Sequence, residues 1–84
     1  MTQRLDYTDG YYYGDVANGE ENGVGIFEWN TGDRYEGNWL NGQMHGYGTF
    51  EWANKNRYEG QWLNGQMNGY GTMYYANGDR YEGY

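Results

Sequence analysis

Apolar and polar residues alternate with a step of two through most of the chain. Tyr35, Gly37 and Trp39 interleave with Glu36 and Asn38, and Gly48, Phe50 and Trp52 interleave with Tyr47, Thr49 and Glu51. This is the period of a β-strand, whose successive side chains leave on opposite faces. The pattern predicts strands over roughly Tyr35 to Leu40 and Tyr47 to Trp52, separated by Asn41-Gly42 and followed by Ala53-Asn54-Lys55. No stretch carries the period of a helix, so the fold class expected is all-β.

The pattern also recurs. Residues 12–34, 35–57 and 58–80 are consecutive units of 23 residues, and 81–84 open a fourth, while residues 1–11 have the look of half a unit at the N-terminus. Units two and three are near copies, YEGNWLNGQMHGYGTFEWANKNR against YEGQWLNGQMNGYGTMYYANGDR. Every glycine except Gly10 falls on one of five unit positions. Backbone geometry therefore places them, and the glycine content is not that of a flexible linker. With a strand pair in each unit, the array predicts a meander of about seven strands.

Register follows from parity, because a slip of one residue would send every ring to the other face. A three-residue loop at Asn30-Thr31-Gly32, with Gly32 left-handed in a bulge, sets Phe27 opposite Tyr35 and Gly25 opposite Gly37. A two-residue turn at Thr31-Gly32 would set Phe27 against Glu36 and mix charge into the rings. The same register pairs Phe50 with Tyr58, Met73 with Tyr81, Gly48 with Gly60 and Gly71 with Gly83. Facing glycines leave furrows into which neighbouring rings can lie. Lys55 takes the loop position held by Gly32 and Gly78, where a left-handed backbone costs a side chain about 1 kcal/mol, so a strained or altered turn is expected there. At the N-terminus Asp9-Gly10 is the expected two-residue turn.

The stretches YEGNWLNGQMHGYG and YEGQWLNGQMNGYG resemble the MORN repeat, the membrane occupation and recognition nexus motif, with its pattern YxGxWxxGxxxGxG. The resemblance covers residues 12–84, and the first unit departs from it with Val16 for tryptophan and Asn22 for histidine. It implies a single elongated, twisted antiparallel sheet of successive hairpins, used mainly to hold proteins together, sometimes near membranes or the cytoskeleton. Arrays of this kind accompany lipid kinases, a lysine methyltransferase, junctional membrane proteins and ciliary proteins.

Composition narrows the functional classes. Sixteen Gly, twelve Tyr and four Trp stand beside no Pro and no Cys, and the only leucines and isoleucine are Leu5, Leu40, Leu63 and Ile26. An ordinary aliphatic core cannot be assembled from these, and 84 residues leave little room for a catalytic cavity. The absence of cysteine and of a signal-like apolar run makes a cytoplasmic location the expectation. A formal net charge of −7 opposes nucleic acid and anionic lipid as partners.

Candidate chemistry is sparse. His45 is the only histidine and lacks the nucleophile or further ligands that catalysis or zinc would need. Glu20-Glu21 reads as a solvated turn pair. The Gly-x-Gly steps at 23–25, 46–48 and 69–71 precede no helix and belong to strands rather than a phosphate loop. Arg34, Arg57 and Arg80 form a row, but Glu36, Glu59 and Glu82 beside them predict solvated cross-strand pairing. No catalytic, cofactor or metal residues are assigned.

The stripe of Trp29, Tyr35, Trp39, Trp52, Tyr58, Trp62 and Tyr75 reads first as core for most of its rings, yet a lone sheet has no second layer to cover it, so some rings are expected to stay reachable and the partner site is placed among them. These rings suit a helix or an extended peptide of a protein partner. The chain is thus expected to be a non-enzymatic interaction scaffold. The competing readings are a module for phospholipid or membrane surfaces, and an accessory repeat region of a larger enzyme. The four-residue fourth unit predicts an array longer than this sequence or one cut short, with an edge strand open to end-to-end self-association.

Overall fold

The computed structural model describes residues 2–83; Met1 of the half unit and Tyr84 of the fourth unit lie outside the described residues. All regular structure among them is strand: β1 (Thr2–Tyr7), β2 (Gly10–Ala17), β3 (Glu20–Trp29), β4 (Arg34–Leu40), β5 (Gln43–Glu51), β6 (Arg57–Leu63), β7 (Gln66–Tyr74) and β8 (Arg80–Gly83). Each strand pairs antiparallel with the next, giving one open sheet in chain order. The sheet measures 39 × 25 × 17 Å. The eighth strand, one more than expected, arises because the N-terminal half unit supplies β1.

Two kinds of turn recur between the strands of the units, one at each end. The first is the two-residue turn inside each unit, Asn18-Gly19, Asn41-Gly42 and Asn64-Gly65, in which both residues have positive φ (50° and 81° at Asn41 and Gly42). This backbone matches the right-handed twist of the flanking strands, and Asn-Gly adopts it most readily. Pairing therefore starts at once, with Leu40 opposite Gln43, and β5 begins four residues before the predicted Tyr47.

The second turn joins successive units and is the expected three-residue loop. Gly32 donates its N–H to the Trp29 carbonyl and Trp29 donates to Asp33, both at 3.0 Å. Lys55 and Tyr75–Asp79 repeat the arrangement, so Lys55 is held at φ 79°. Of the two outcomes expected there, the turn is strained and unaltered. Side chains stitch these turns into a row, Ala53 donating its N–H to Asp33 Oδ1 at 2.8 Å and Ala76 to Asn56 Oδ1 at 2.9 Å.

The register is the one parity requires. Phe27 faces Tyr35, Phe50 faces Tyr58 and Met73 faces Tyr81, while Gly25–Gly37, Gly48–Gly60 and Gly71–Gly83 face one another. The N-terminal turn differs from expectation. It falls at Thr8-Asp9, with Tyr7 opposite Gly10 and Leu5 opposite Tyr12, a shift of two residues that preserves parity. Gly10 is needed inside β2 because a β-carbon there would meet the Phe27 ring at 2.9 Å and the Glu28 carbonyl at 2.2 Å. It therefore cannot serve as the turn.

Replacing Lys55 by glycine is expected to raise stability by up to about 1 kcal/mol through relief of the left-handed backbone. The check is an equilibrium urea titration, in which the midpoint rises while the slope stays the same.

Candidate interaction face

Within each unit the sequence Tyr-x-Gly-x-Trp builds one packing device. The tyrosine ring lies flat along its strand over the glycine two residues on and over that glycine's cross-strand partner. A β-carbon on Gly48 would come within 2.0 Å of the Tyr35 hydroxyl, and one on Gly71 within 2.2 Å of that of Tyr58. Only a residue without a side chain leaves this floor open.

The ring's polar end is met by a bulge. Between Gly37–Gly48 and Trp39–Met44, β4 contributes Asn38 alone while β5 contributes His45, Gly46 and Tyr47. The Asn38 carbonyl accepts the Tyr35 hydroxyl at 2.9 Å, and its side-chain amide donates to the Tyr47 carbonyl at 3.0 Å, tying down the bulged strand. Asp15 does the same in the first unit, accepting Tyr12 at 2.7 Å on its carbonyl and the Val24 N–H at 3.2 Å on its carboxylate. A buried phenol is thereby satisfied without a second layer of structure.

The tryptophan closes the device. Trp39 stands edge-on to Tyr12 and Tyr35 with centroids 5.3 and 5.1 Å away, and Trp62 does so to Tyr35 and Tyr58 at 5.4 Å each. Each indole N–H crosses to the preceding unit, Trp39 donating to the Gly25 carbonyl at 3.1 Å and Trp62 to Gly48 at 3.2 Å. Edge-to-face contacts of this sort add about 0.5–1.5 kcal/mol each beyond area burial. Phe27 and Phe50 complete the row, packing 6.1 Å from Trp39 and 5.8 Å from Trp62.

Of the rings expected to meet a partner, the structure buries Tyr35, Trp39, Tyr58 and Trp62 in this core. Trp29, Trp52 and Tyr75 are more accessible. They occur once per unit, at the start of the inter-unit turns, all at one end of the strands. Trp29 packs between Phe27 and Phe50 at 4.5 and 5.3 Å, and Trp52 leans on Phe50 at 4.8 Å, each with part of its surface open. Tyr75 is 43% exposed.

Three other expectations are refined. Glu20-Glu21 is not a solvated pair, because Glu21 is buried and accepts the Tyr7 hydroxyl at 3.0 Å. Tyr7 itself lies against Phe27 at 5.6 Å, a contact hidden from sequence by the two-residue shift of β1. His45 sits in the β5 bulge, and the first glycine of each Gly-x-Gly step is the bulge's left-handed residue, Gly46 having φ 77°.

On the opposite face, among the described residues, the ion pairs of the arginine row run along strands and not across them: Arg34–Glu36 at 3.4 Å, Arg57–Glu59 at 3.1 Å and Arg80–Glu82 at 3.2 Å, as does Arg4–Asp6 at 2.9 Å in β1. Arg34 also lies in register between Glu28 and Glu51, and the Arg57 guanidinium rests 4.5 Å over the Tyr74 ring. Carboxylates thus surround the arginine row. The same face carries Val24, Tyr47 and Tyr70, all exposed, which recur at the unit spacing. That recurrence is their only sequence signal.

A family model described as MORN repeat matches residues 12–34, 35–57 and 58–80. Comparison with curated proteins gives no match.

The packing of the phenols sets an alkaline limit. Burial pushes the Tyr12 and Tyr35 hydroxyls up from 10.0 to about 12, and burial together with the Glu21 carboxylate does so for Tyr7. Above pH 10 the unfolded chain loses these protons while the folded sheet keeps them, so stability is complete below about pH 10 and falls as pH rises toward 12. The urea midpoint should decline across that window, and less steeply in a Tyr7→Phe variant. An unchanged midpoint would contradict the assignment.

Proposed function

The chain belongs to the MORN repeat family, and from that premise we propose that it is an interaction scaffold that holds a helix or extended peptide of a protein partner. Repeat proteins of this family commonly serve as protein or membrane interaction modules and are typically non-catalytic. The observation that carries the reading is the row of Trp29, Trp52 and Tyr75, at steps of 23 residues along one end of the sheet. Half-open aromatic rings on a rigid base are the residues that anchor interfaces, since they bring large area at little entropic cost. The buried rings beneath act as support, fixing the spacing of the row.

A partner lying along the row crosses strand after strand, meeting one ring per unit. Array length then sets how much of the partner is held. Membrane lipid is the weaker reading, because the net charge of −7 repels anionic headgroups.

Changing Trp29 and Trp52 together to alanine should lower partner capture at least about tenfold, at some expense in stability, while circular dichroism still reports the sheet. Full capture by the folded double variant would remove the reading. Flotation with anionic vesicles at physiological salt should leave the protein at the bottom of the gradient; co-migration would favour the lipid reading.

A further inference from the structure

The inter-unit turns lie side by side at the end of the sheet that carries Trp29, Trp52 and Tyr75, and the middle one differs from its neighbours in charge but not in shape. The first reads Asn30-Thr31-Gly32-Asp33 and the third Ala76-Asn77-Gly78-Asp79, each with one carboxylate, whereas the second reads Ala53-Asn54-Lys55-Asn56. Two adjacent differences thus turn a negative turn into a positive one. Neither disturbs the backbone. Lys55 N–H donates to the Trp52 carbonyl at 2.9 Å, as Gly32 does to Trp29 and Gly78 to Tyr75 at 3.0 Å, with φ 79° against 98° and 97°. Asn56 Oδ1 accepts the Ala76 N–H at 2.9 Å, as Asp33 Oδ1 accepts that of Ala53 at 2.8 Å. The amide therefore keeps the acceptor and drops the charge that would neutralise the ammonium beside it.

Lys55 is the only lysine of the chain. Each of the four arginines pairs with a carboxylate two residues on, whereas Lys55 is exposed and, among the described residues, no carboxylate pairs with it. A cation that the fold does not use is thus held on a left-handed backbone that glycine would occupy without strain. Strain kept at one position of a repeat points to a contact outside the fold.

Successive turns stand two strands apart, about 10 Å at the usual strand spacing, and the hydrogen bonds from Asp33 and Asn56 tie them into a row. A partner lying along this row crosses the strands and cannot pair its backbone with theirs. A helix arrives with those groups already satisfied, and it rises about 10.5 Å in seven residues, one step of the row.

We infer that the partner segment on the aromatic row is an amphipathic helix carrying charges at seven-residue steps: basic opposite Asp33, acidic opposite Lys55 and basic opposite Asp79. Its apolar residues meet Trp29, Trp52 and Tyr75. Shifting the helix by one turn of the row sets a basic residue against Lys55 and an acidic one against a carboxylate, so the pattern selects register as well as partner. The inference rests on the interaction reading for where the partner lies; the charge pattern is a separate observation. The formal charge of −7 favours basic partners of any pattern, and a preference for an acidic residue at the middle step separates the local pattern from that general attraction.

The test uses two labelled helical peptides of three heptads, with leucines along one face and charges at one position of successive heptads. One carries lysine, glutamate and lysine there, the other lysine at all three, and binding is read by fluorescence anisotropy. The mixed peptide should bind the natural chain about fivefold more tightly than the all-lysine peptide, and added salt should shrink the difference. Lys55→Gly together with Asn56→Asp gives the second turn the sequence that residues 76–79 already fold with, and this variant should reverse the order. Tighter binding of the all-lysine peptide by the natural chain, the same order on both chains, or no binding of either peptide would each overturn the proposal. A preference that reverses with the turn but survives Trp29→Ala with Trp52→Ala would leave the charge pattern standing and remove the aromatic-row reading. Binding that needs the two tryptophans and ignores the turn would do the opposite.

Discussion

A tyrosine ring lying flat over a pair of glycines is the contact on which the sheet depends. It solves the problem of a single β layer with few aliphatic residues, where side chains standing upright would find nothing to pack against. Lying down, the Tyr35 ring covers Gly37 and Gly48 and reaches the carbonyl that the Asn38 bulge turns toward it. The tryptophan then leans on two such rings and crosses back to the preceding unit through its N–H. Glycine, bulge and indole are thus parts of one arrangement, and each accounts for a fixed position in the 23-residue spacing.

The functional consequence is a division of labour among the rings. Because the core is made from the face that an interaction module would otherwise present, Tyr35, Trp39, Tyr58 and Trp62 are committed to holding units together. What remains reachable is set by where the device ends. Trp29, Trp52 and Tyr75 stand at the turns beyond it. In the first unit Val16 stands at the tryptophan position and packs only partly against the core.

Alternation and the 23-residue step were enough to read the fold class, the facing glycines and the inter-unit turn from sequence, because parity leaves one register that keeps Phe27 with Tyr35 and charge off the rings. Three features were not legible. The N-terminal turn is one, because Gly10 looks like a turn glycine when its role is to make room for Phe27. That most of the stripe is core is legible from its one-faced pattern, but which rings are covered and which stay reachable is not, because sequence shows which face a ring takes and not whether it lies flat. The Tyr7–Glu21 hydrogen bond joins residues whose contact follows only from the true register of β1. The stripe of Val24, Tyr47 and Tyr70 is legible only as a recurrence at the unit spacing.

The central claim is that ring and glycine are coupled, so that each glycine is required by the tyrosine above it. A double-mutant cycle on Tyr35 and Gly48, read by equilibrium urea unfolding of the Tyr35→Leu, Gly48→Ala and double variants, measures this directly. The account predicts that Gly48→Ala is strongly destabilising beneath Tyr35 and much less so beneath leucine, with a coupling energy of about 1 kcal/mol or more. Equal destabilisation in both backgrounds would mean that the glycine serves the strand alone, and would contradict it.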